Sequence, residues 1–583
     1  MSVSSQPRRW TETVDETAVP PGGLLTWKNA TAQLVIGRAA DGAWFALDNR
    51  CPHEGYPLAQ GDLKETVLTC CWHNWKFDVR NGSCLLGGED VRCYPVRVVG
   101  GRMQVDLTPA PPEQEQQRLR GSLAAALSDA DLARAVRDSL RLLQAGTAVE
   151  RILGDVALHD SLHAEYGATH VLPLAAETRH LLLGVPPQAM ARVLAPLLEL
   201  AAETNRRLPR RPVPKPEAAA GHKTSLSFVR QAVENEQLEA AEAALRAASD
   251  AGAGRQAIED CLFDICSDHF LSFGHSLIYL VKAGELLDVL PDDDAQTIHA
   301  SLLVNMTRSR REDTLPYLRN YFVPVREWEA QFADRWDSAR RGTRTDLPND
   351  VQEAVLSGKR PAAMQAVWDA LGAGWTPRQV AQALVLAASQ RLLRFDLRLD
   401  ADVRVQEDWL YATHRLTFAS AVRNAIERHD SPQALHFLFQ AAAFIHSGAR
   451  MDDANTARPR PDPHRSLAEI REAILRRDAA GALAGVAAAL QSDDTSEELL
   501  HMLRQVSIDV HLVRPIFQVH AIKTMLAGIE ETRALGNDPQ RALPVLAAVR
   551  FLASPVHERR AAAAAHAAVE WVEHGRMIRK LTQ

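Results

Sequence analysis

Cysteine is scarce: the chain holds 7 in 583 residues, far too few for a disulfide scaffold. Basic charge is not in excess. The formal net charge is −7, which leaves no electrostatic footprint for a nucleic acid. The arginine-rich stretch Arg206–Pro216 is flanked by acidic segments and reads as an extended, solvated connector. No apolar run is long enough to span a bilayer, and the opening residues MSVSSQPRRWTETVDE hold no signal core. The expectation is a cytoplasmic protein with neither membrane nor nucleic acid as partner. No G-x-G-x-x-G follows a strand pattern, and there is no P-loop or G-x-S-x-G. Electrons from NAD(P)H would have to come through a separate reductase or ferredoxin.

What is present divides in two. Residues 1 to about 107 read as β structure. AQLVIGR, AWFALD, ETVLTCC, WKFDV and VRVVGGRMQVDL are short apolar or alternating runs, with turn signals at Asp41-Gly42 and Asn81-Gly82. Thr108–Arg118, rich in Pro and Gln, reads as a linker. From 119 to 583 the apolar residues recur at three- and four-residue spacing, as in LAAALSDADLARAVRDSLRLLQ. That region is expected to be all-α, with breaks near 206–224, 342–350 and 448–466. The fold class is thus a small all-β domain followed by a large all-α domain of repeated helical units.

Five of the seven cysteines fall between Cys51 and Cys93. Cys51-Pro-His53 and Cys70-x-x-His73 are separated by sixteen residues. Two thiolates and two imidazoles from two loops suit a binuclear iron–sulfur centre, with soft thiolates on one iron and neutral imidazoles on the other. The competing reading is a structural Cys2His2 zinc site, but such sites pair like with like, whereas here each loop supplies one of each. Cys84 and Cys93 read as buried small apolar residues.

CPHEGYPLAQGDL and CCWHNWKFDVRNGSCL resemble the cluster loops of Rieske-type [2Fe–2S] ferredoxin domains, over residues about 10–107. The resemblance implies that Cys51 and Cys70 bind one iron, and His53 and His73 the other. Three departures stand out. Asn74 replaces the usual Gly, and it is the residue next most tolerant of left-handed backbone. Trp75 stands where high-potential members carry a cluster-bonding serine. Cys71 has no second cysteine in the first loop to form the disulfide of those members. Fewer donors to the cluster imply a low potential, hence an electron donor to an oxygen-activating site.

The acceptor has to lie elsewhere. Four helical segments share a layout around His170, His275, His414 and His520, spaced 105, 139 and 106 residues apart. Acids and a histidine precede them by 7 or 11 residues: His163, Asp264, Asp268, Glu407 and Asp509. On an unbroken helix those offsets share one face, as in bundle-core metal sites. His511, in SIDVHLVRP, competes with His520 in the last unit. A D-x2-H pair, Asp160 and His163, is a weak echo of a mononuclear iron helix. GHSLIYLVKAGELLD, THRLTFASAVR and IDVHLVRPI are similar to motifs of the questin oxidase–like family, which implies oxygen insertion into quinoid compounds.

Two functions are expected in competition. In the first, an oxygenase, the [2Fe–2S] cluster feeds a mono- or dinuclear non-haem iron held by those four histidines and their upstream partners, and O2 oxidises an organic small molecule. In the second, the helices form an interaction scaffold for a redox relay or sensor. Convergence of the four histidines in space separates the two.

Overall fold

The computed structural model describes residues 8–212, 222–456, 459–491, 493–510, 512 and 514–581. It divides into two compact units. One runs to Leu123 and includes Gln144–Gly146; the other holds Ala124–Leu143 and everything from Thr147.

The first unit has eleven strands in three antiparallel sheets: β1 (Trp10–Asp15), β2 (Leu24–Lys28), β3 (Gln33–Arg38), β4 (Trp44–Asp48), β5 (Asp62–Lys64), β6 (Val67–Thr69), β7 (Lys76–Asp78), β8 (Cys84–Leu86), β9 (Cys93–Tyr94), β10 (Val96–Val99) and β11 (Arg102–Asp106). The sheet orders are β1-β11-β10, β2-β3-β4-β9 and β5-β6-β7-β8. In the middle sheet β3 and β4 are buried on both faces, which explains their unbroken apolar runs. Side chains alternate between two cores. Leu34, Ile36 and Ala46 pack with Met103 and Val105, while Val35, Phe45 and Leu47 pack with Phe77, Cys51 and Cys70. The second core therefore forms the floor under the two cysteine–histidine loops.

The Asn81-Gly82 turn joins β7 to β8. Gly82 has φ +80°, and a Cβ there would lie 2.0 Å from the Val91 carbonyl oxygen. Gly82→Ala is expected to cost at least ~2 kcal/mol, from left-handed strain plus this clash. Urea unfolding of the variant checks it, and an unchanged midpoint would contradict it.

The expected linker is shorter than the sequence suggests. A helix begins at Pro112 and runs to Asp129. Proline suits the first helical turn, and Glu113 and Glu115 face the helix's positive end. Only residues 107–111 remain extended.

The second unit is helical. Four of its helices matter most: Val171–Leu181, His275–Leu287, Trp409–Arg428 and Pro515–Ala534. Each packs on the next, and the fourth packs on the first, closing a ring. Trp409–Arg428 and Pro515–Ala534 are buried on nearly every face, as central helices are. Asp408 caps the third, accepting from the Tyr411 N–H at 3.1 Å. Breaks in helix fall at 340–348 and, among the described residues, at 452–456 and 459–466, close to the expected places. Among the described residues no helix is long and apolar enough to cross a membrane.

Candidate metal centres

The loop after β4 and the loop between β6 and β7 present the four residues of the first centre. Each begins with a cysteine whose carbonyl accepts from the N–H four residues on, Gly55 at 2.8 Å and Asn74 at 3.0 Å. Each turn closes on a positive φ, +82° at Gly55 and +61° at Asn74. Asn74 thus takes the left-handed role.

Cys51 and Cys70 are buried, and Cys71 is exposed. Burial pushes the Cys51 thiol up to about 12, and the neighbouring Cys70 adds to this. Two facing buried cysteines become thiolates only beside a cation, so the pair fits a metal. The His53 and His73 rings meet edge to face, 4.4 Å between centroids. His73 is the more exposed, its side chain 39% accessible. Trp75 stacks flat on His53 at 4.9 Å, so it shields the inner imidazole. Cys84 and Cys93 are half-buried against the same core.

The second centre lies in the helical unit. His170, His275, His414 and His520 converge at the N-terminal ends of the four ringed helices. The Nε2 atoms of His275 and His170 are 3.3 Å apart, those of His414 and His275 2.8 Å, and those of His520 and His414 3.3 Å. His170, His275 and His414 offer ligand atoms all within 4.8 Å of one another. The opposite edges of the rings are pinned. His275 Nδ1 meets the Ser272 carbonyl, His414 Nδ1 the Leu410 carbonyl at 2.5 Å and His520 Nδ1 the Ile516 carbonyl at 2.7 Å. A carbonyl only accepts, so each Nδ1 carries the proton and each Nε2 presents a bare lone pair. The Tyr279 hydroxyl holds His170 Nδ1 at 3.0 Å.

Between His414 and His275 at 2.8 Å, and between His520 and His414 at 3.3 Å, lone pair faces lone pair, which is repulsive unless a cation lies between them. An imidazolium is disfavoured: burial, followed by the Lys523 ammonium, lowers His275 to about 4 and His520 well below its ordinary value. His170 and His414 are likewise held well below theirs, by burial first. Imidazole nitrogens bound to one metal at about 2.0–2.1 Å stand about 3.3–3.4 Å apart, so His170, His275 and His414 fit one divalent transition metal, with His520 beside them against His414.

The upstream partners do not join this set. His163 stacks on His159 at 4.4 Å and contacts the Leu208 carbonyl at 2.9 Å. Asp268 pairs with Arg230, and Asp264 lies near the same guanidinium. Glu407 accepts the Leu581 N–H at 3.1 Å. Asp509 pairs with Arg192 at 2.6 Å and Arg471 at 2.8 Å. The reason is local: in all four units the helix breaks between the partner and its histidine. Helices end at His163, Asp268 and Asp509, and Glu407 precedes the cap at Asp408. Asp160 bonds Thr169 and Asn205 rather than completing a D-x2-H site. His511 lies outside the described residues.

Two residues escaped the sequence reading. Tyr279 lies one turn after His275, and Lys523 one turn after His520. Lys523 is buried, and its Nζ has no hydrogen-bond partner among the protein atoms. Burial lowers its ammonium to about 8. The signal for both was their offset of three or four from a histidine.

The buried histidines make the fold acid-sensitive. Below about pH 6.5 the unfolded chain takes up protons that these folded imidazoles refuse, so stability falls from there towards pH 4. Four such groups cost up to about 5 kcal/mol per pH unit. The urea midpoint of metal-free protein at pH 7.5 and pH 5 checks this, and a flat profile would contradict it.

A family model described as the Rieske [2Fe-2S] domain matches residues 9–95. The chain is 34% identical over 100 residues to the biphenyl dioxygenase ferredoxin subunit of Pseudomonas sp. (strain KKS102), covering 17% of this chain and 89% of that protein. It is 28% identical to the ferredoxin component of the naphthalene 1,2-dioxygenase system of Pseudomonas aeruginosa, covering 17% and 97%. It is 50% identical over 62 residues to the chloroplastic pheophorbide a oxygenase of Oryza sativa subsp. japonica, but spans only 10% of that protein. The solved Sphingomonas yanoikuyae B1 ferredoxin is 22% identical, with a TM-score of 0.17 over 17% of this chain and 100% of that one. Residues 9–95 lie in the first unit, and these comparisons give no support to the questin oxidase–like resemblance of the helices.

Proposed function

The chain belongs, through residues 9–95, to the Rieske [2Fe–2S] family, and on that premise we propose that it is an oxygenase-type oxidoreductase in which the cluster serves a second metal, non-haem iron, in the helical unit. The convergence of four pinned imidazoles carries this reading. It favours an enzyme over a scaffold, because a scaffold has no use for buried imidazole lone pairs crowded against one another. The substrate class is an organic small molecule, the oxidant is O2, and a reductase or ferredoxin supplies the electrons.

Cys51, Cys70, His53 and His73 would hold the [2Fe–2S] cluster, and it would accept and release electrons singly. His170, His275, His414 and His520 would hold one iron, and imidazoles alone leave its charge undiminished. Bound there, iron supplies a site where dioxygen can be reduced. The residues themselves do the rest. The carbonyls of Ser272, Leu410 and Ile516 keep each Nδ1 protonated and each Nε2 aimed inward. Tyr279 orients His170. The apolar helix faces keep bulk water away from the site.

Stopped-flow reoxidation of the dithionite-reduced cluster by O2 tests the coupling. Iron-loaded protein is expected to reoxidise much faster than His520→Ala protein. Equal rates would remove the support for electron flow between the centres.

A further inference from the structure

The four-histidine layer has two sides, and they are closed differently. One helical turn further along lie Ile278, Thr417 and Lys523, lining a cavity of about 20 Å³. That is room for about one water. Glu177 and Lys282 line the same cavity, where Lys282 bridges Glu177 and Glu285, each at 3.0 Å. That cavity is too small for an organic molecule.

The other side is built from aromatic rings. Phe273 lies two residues before His275, and Tyr411 three before His414. Their rings meet edge to face at 5.0 Å. Phe273 holds φ +60°, a left-handed conformation costly for a bulky side chain. Tyr317 completes a box. Into it comes Lys580, with Nζ 3.9 Å from the Tyr317 ring centre, 5.6 Å from Phe273 and 5.9 Å from Tyr411. Glu312 and Glu407 act on the same ammonium, opposed by Arg310 and Arg415.

Lys580 comes from a non-helical segment that follows the helix Arg560–His574. It is tied down by few bonds. Gln406 N–H donates to the Arg579 carbonyl at 3.1 Å, Arg579 N–H to the Arg404 carbonyl at 3.3 Å, and Leu581 N–H to Glu407 at 3.1 Å. His170 and His275 keep partial exposure, whereas His414 and His520 are buried. Of the two sides, the aromatic one is closed by a segment held by few bonds.

We propose that residues 576–581 form a gate over the four-histidine site, latched by Lys580 in the Phe273–Tyr317–Tyr411 box, and that substrate enters when the latch lets go. The cation–ring contact is an apt latch because it is modest in strength and survives desolvation. Opening trades it for solvation of the ammonium, so open and closed forms stay close in free energy. The gate rests on the reading of this site as catalytic, but its test does not depend on a bound metal.

The test is imidazole modification of the chelator-treated full chain by diethyl pyrocarbonate, read by peptide mass spectrometry. In Lys580→Ala, His275 and His414 are expected to react about tenfold faster than in wild type. Exposed His464 serves as the internal control and is expected not to change. Lys580→Arg keeps a cation over the rings and is expected to react at the wild-type rate. Equal rates at His275 and His414 in Lys580→Ala would overturn the gate, as would an equally fast Lys580→Arg. Absence of iron from the untreated helical site would sink the oxygenase reading and leave this comparison intact.

Discussion

Replacing His414 by alanine is expected to empty the helical metal site and abolish oxidative turnover while leaving the [2Fe–2S] spectrum unchanged. His414 is the hub of the set, since its Nε2 touches both His275 and His520. Its loss removes one ligand and breaks the chain of contacts. Iron should fall from about three to about two per chain, the remainder belonging to the cluster. Turnover should drop by a factor of about 10³ or more, because among the described residues no other group completes this set. Stability provides an independent check. Metal binding to the folded state raises its melting temperature, and that increment should vanish in His414→Ala. In metal-free protein the substitution also relieves lone-pair repulsion, which offsets part of the usual cavity cost of about 2–5 kcal/mol. A variant that kept all its iron would contradict the assignment.

The adjacent cysteines should separate completely. Cys70→Ala is expected to eliminate the cluster's visible absorption and every reaction that draws electrons through it. Cys70 is 1% exposed, and its N–H and carbonyl close the turn that places His73. Cys71 points outward and is exposed, so Cys71→Ala should retain the cluster and change stability by no more than about 0.5 kcal/mol. Absorption spectra of the two purified variants decide it. Loss of the cluster in Cys71→Ala would mean the ligand had been misassigned. Metal in the helical site should persist in Cys70→Ala, since its ligands lie in a separate unit.

How much of this was legible in the sequence differs by element. The double-faced strands β3 and β4 were, because burial on both sides writes itself as continuous apolar runs. Strands β1 and β2 were not, since their burial is partial and their residues mixed. Pro112 and the glutamines after it read as linker, although proline at a first helical position begins a helix as readily as it breaks one. The four histidines were found by their shared layout. Their acid partners were not, because offsets of 7 and 11 mean one face only on a continuous helix. Phe273 and Gly274, both at positive φ, break that continuity. What converges is a set of imidazoles, not the mixed carboxylate–imidazole set that the spacing suggested. Lys580 in its box of rings was beyond the sequence altogether, since nothing local links residue 580 to residues 273, 317 and 411.

The most direct test of the central claim is anomalous X-ray diffraction from crystals of the intact chain, measured on either side of the iron edge. Two centres are expected: one enclosed by Cys51, His53, Cys70 and His73, and a second between the Nε2 atoms of His170, His275, His414 and His520. Iron at the first centre alone, with no anomalous density among the four histidines, would contradict the account.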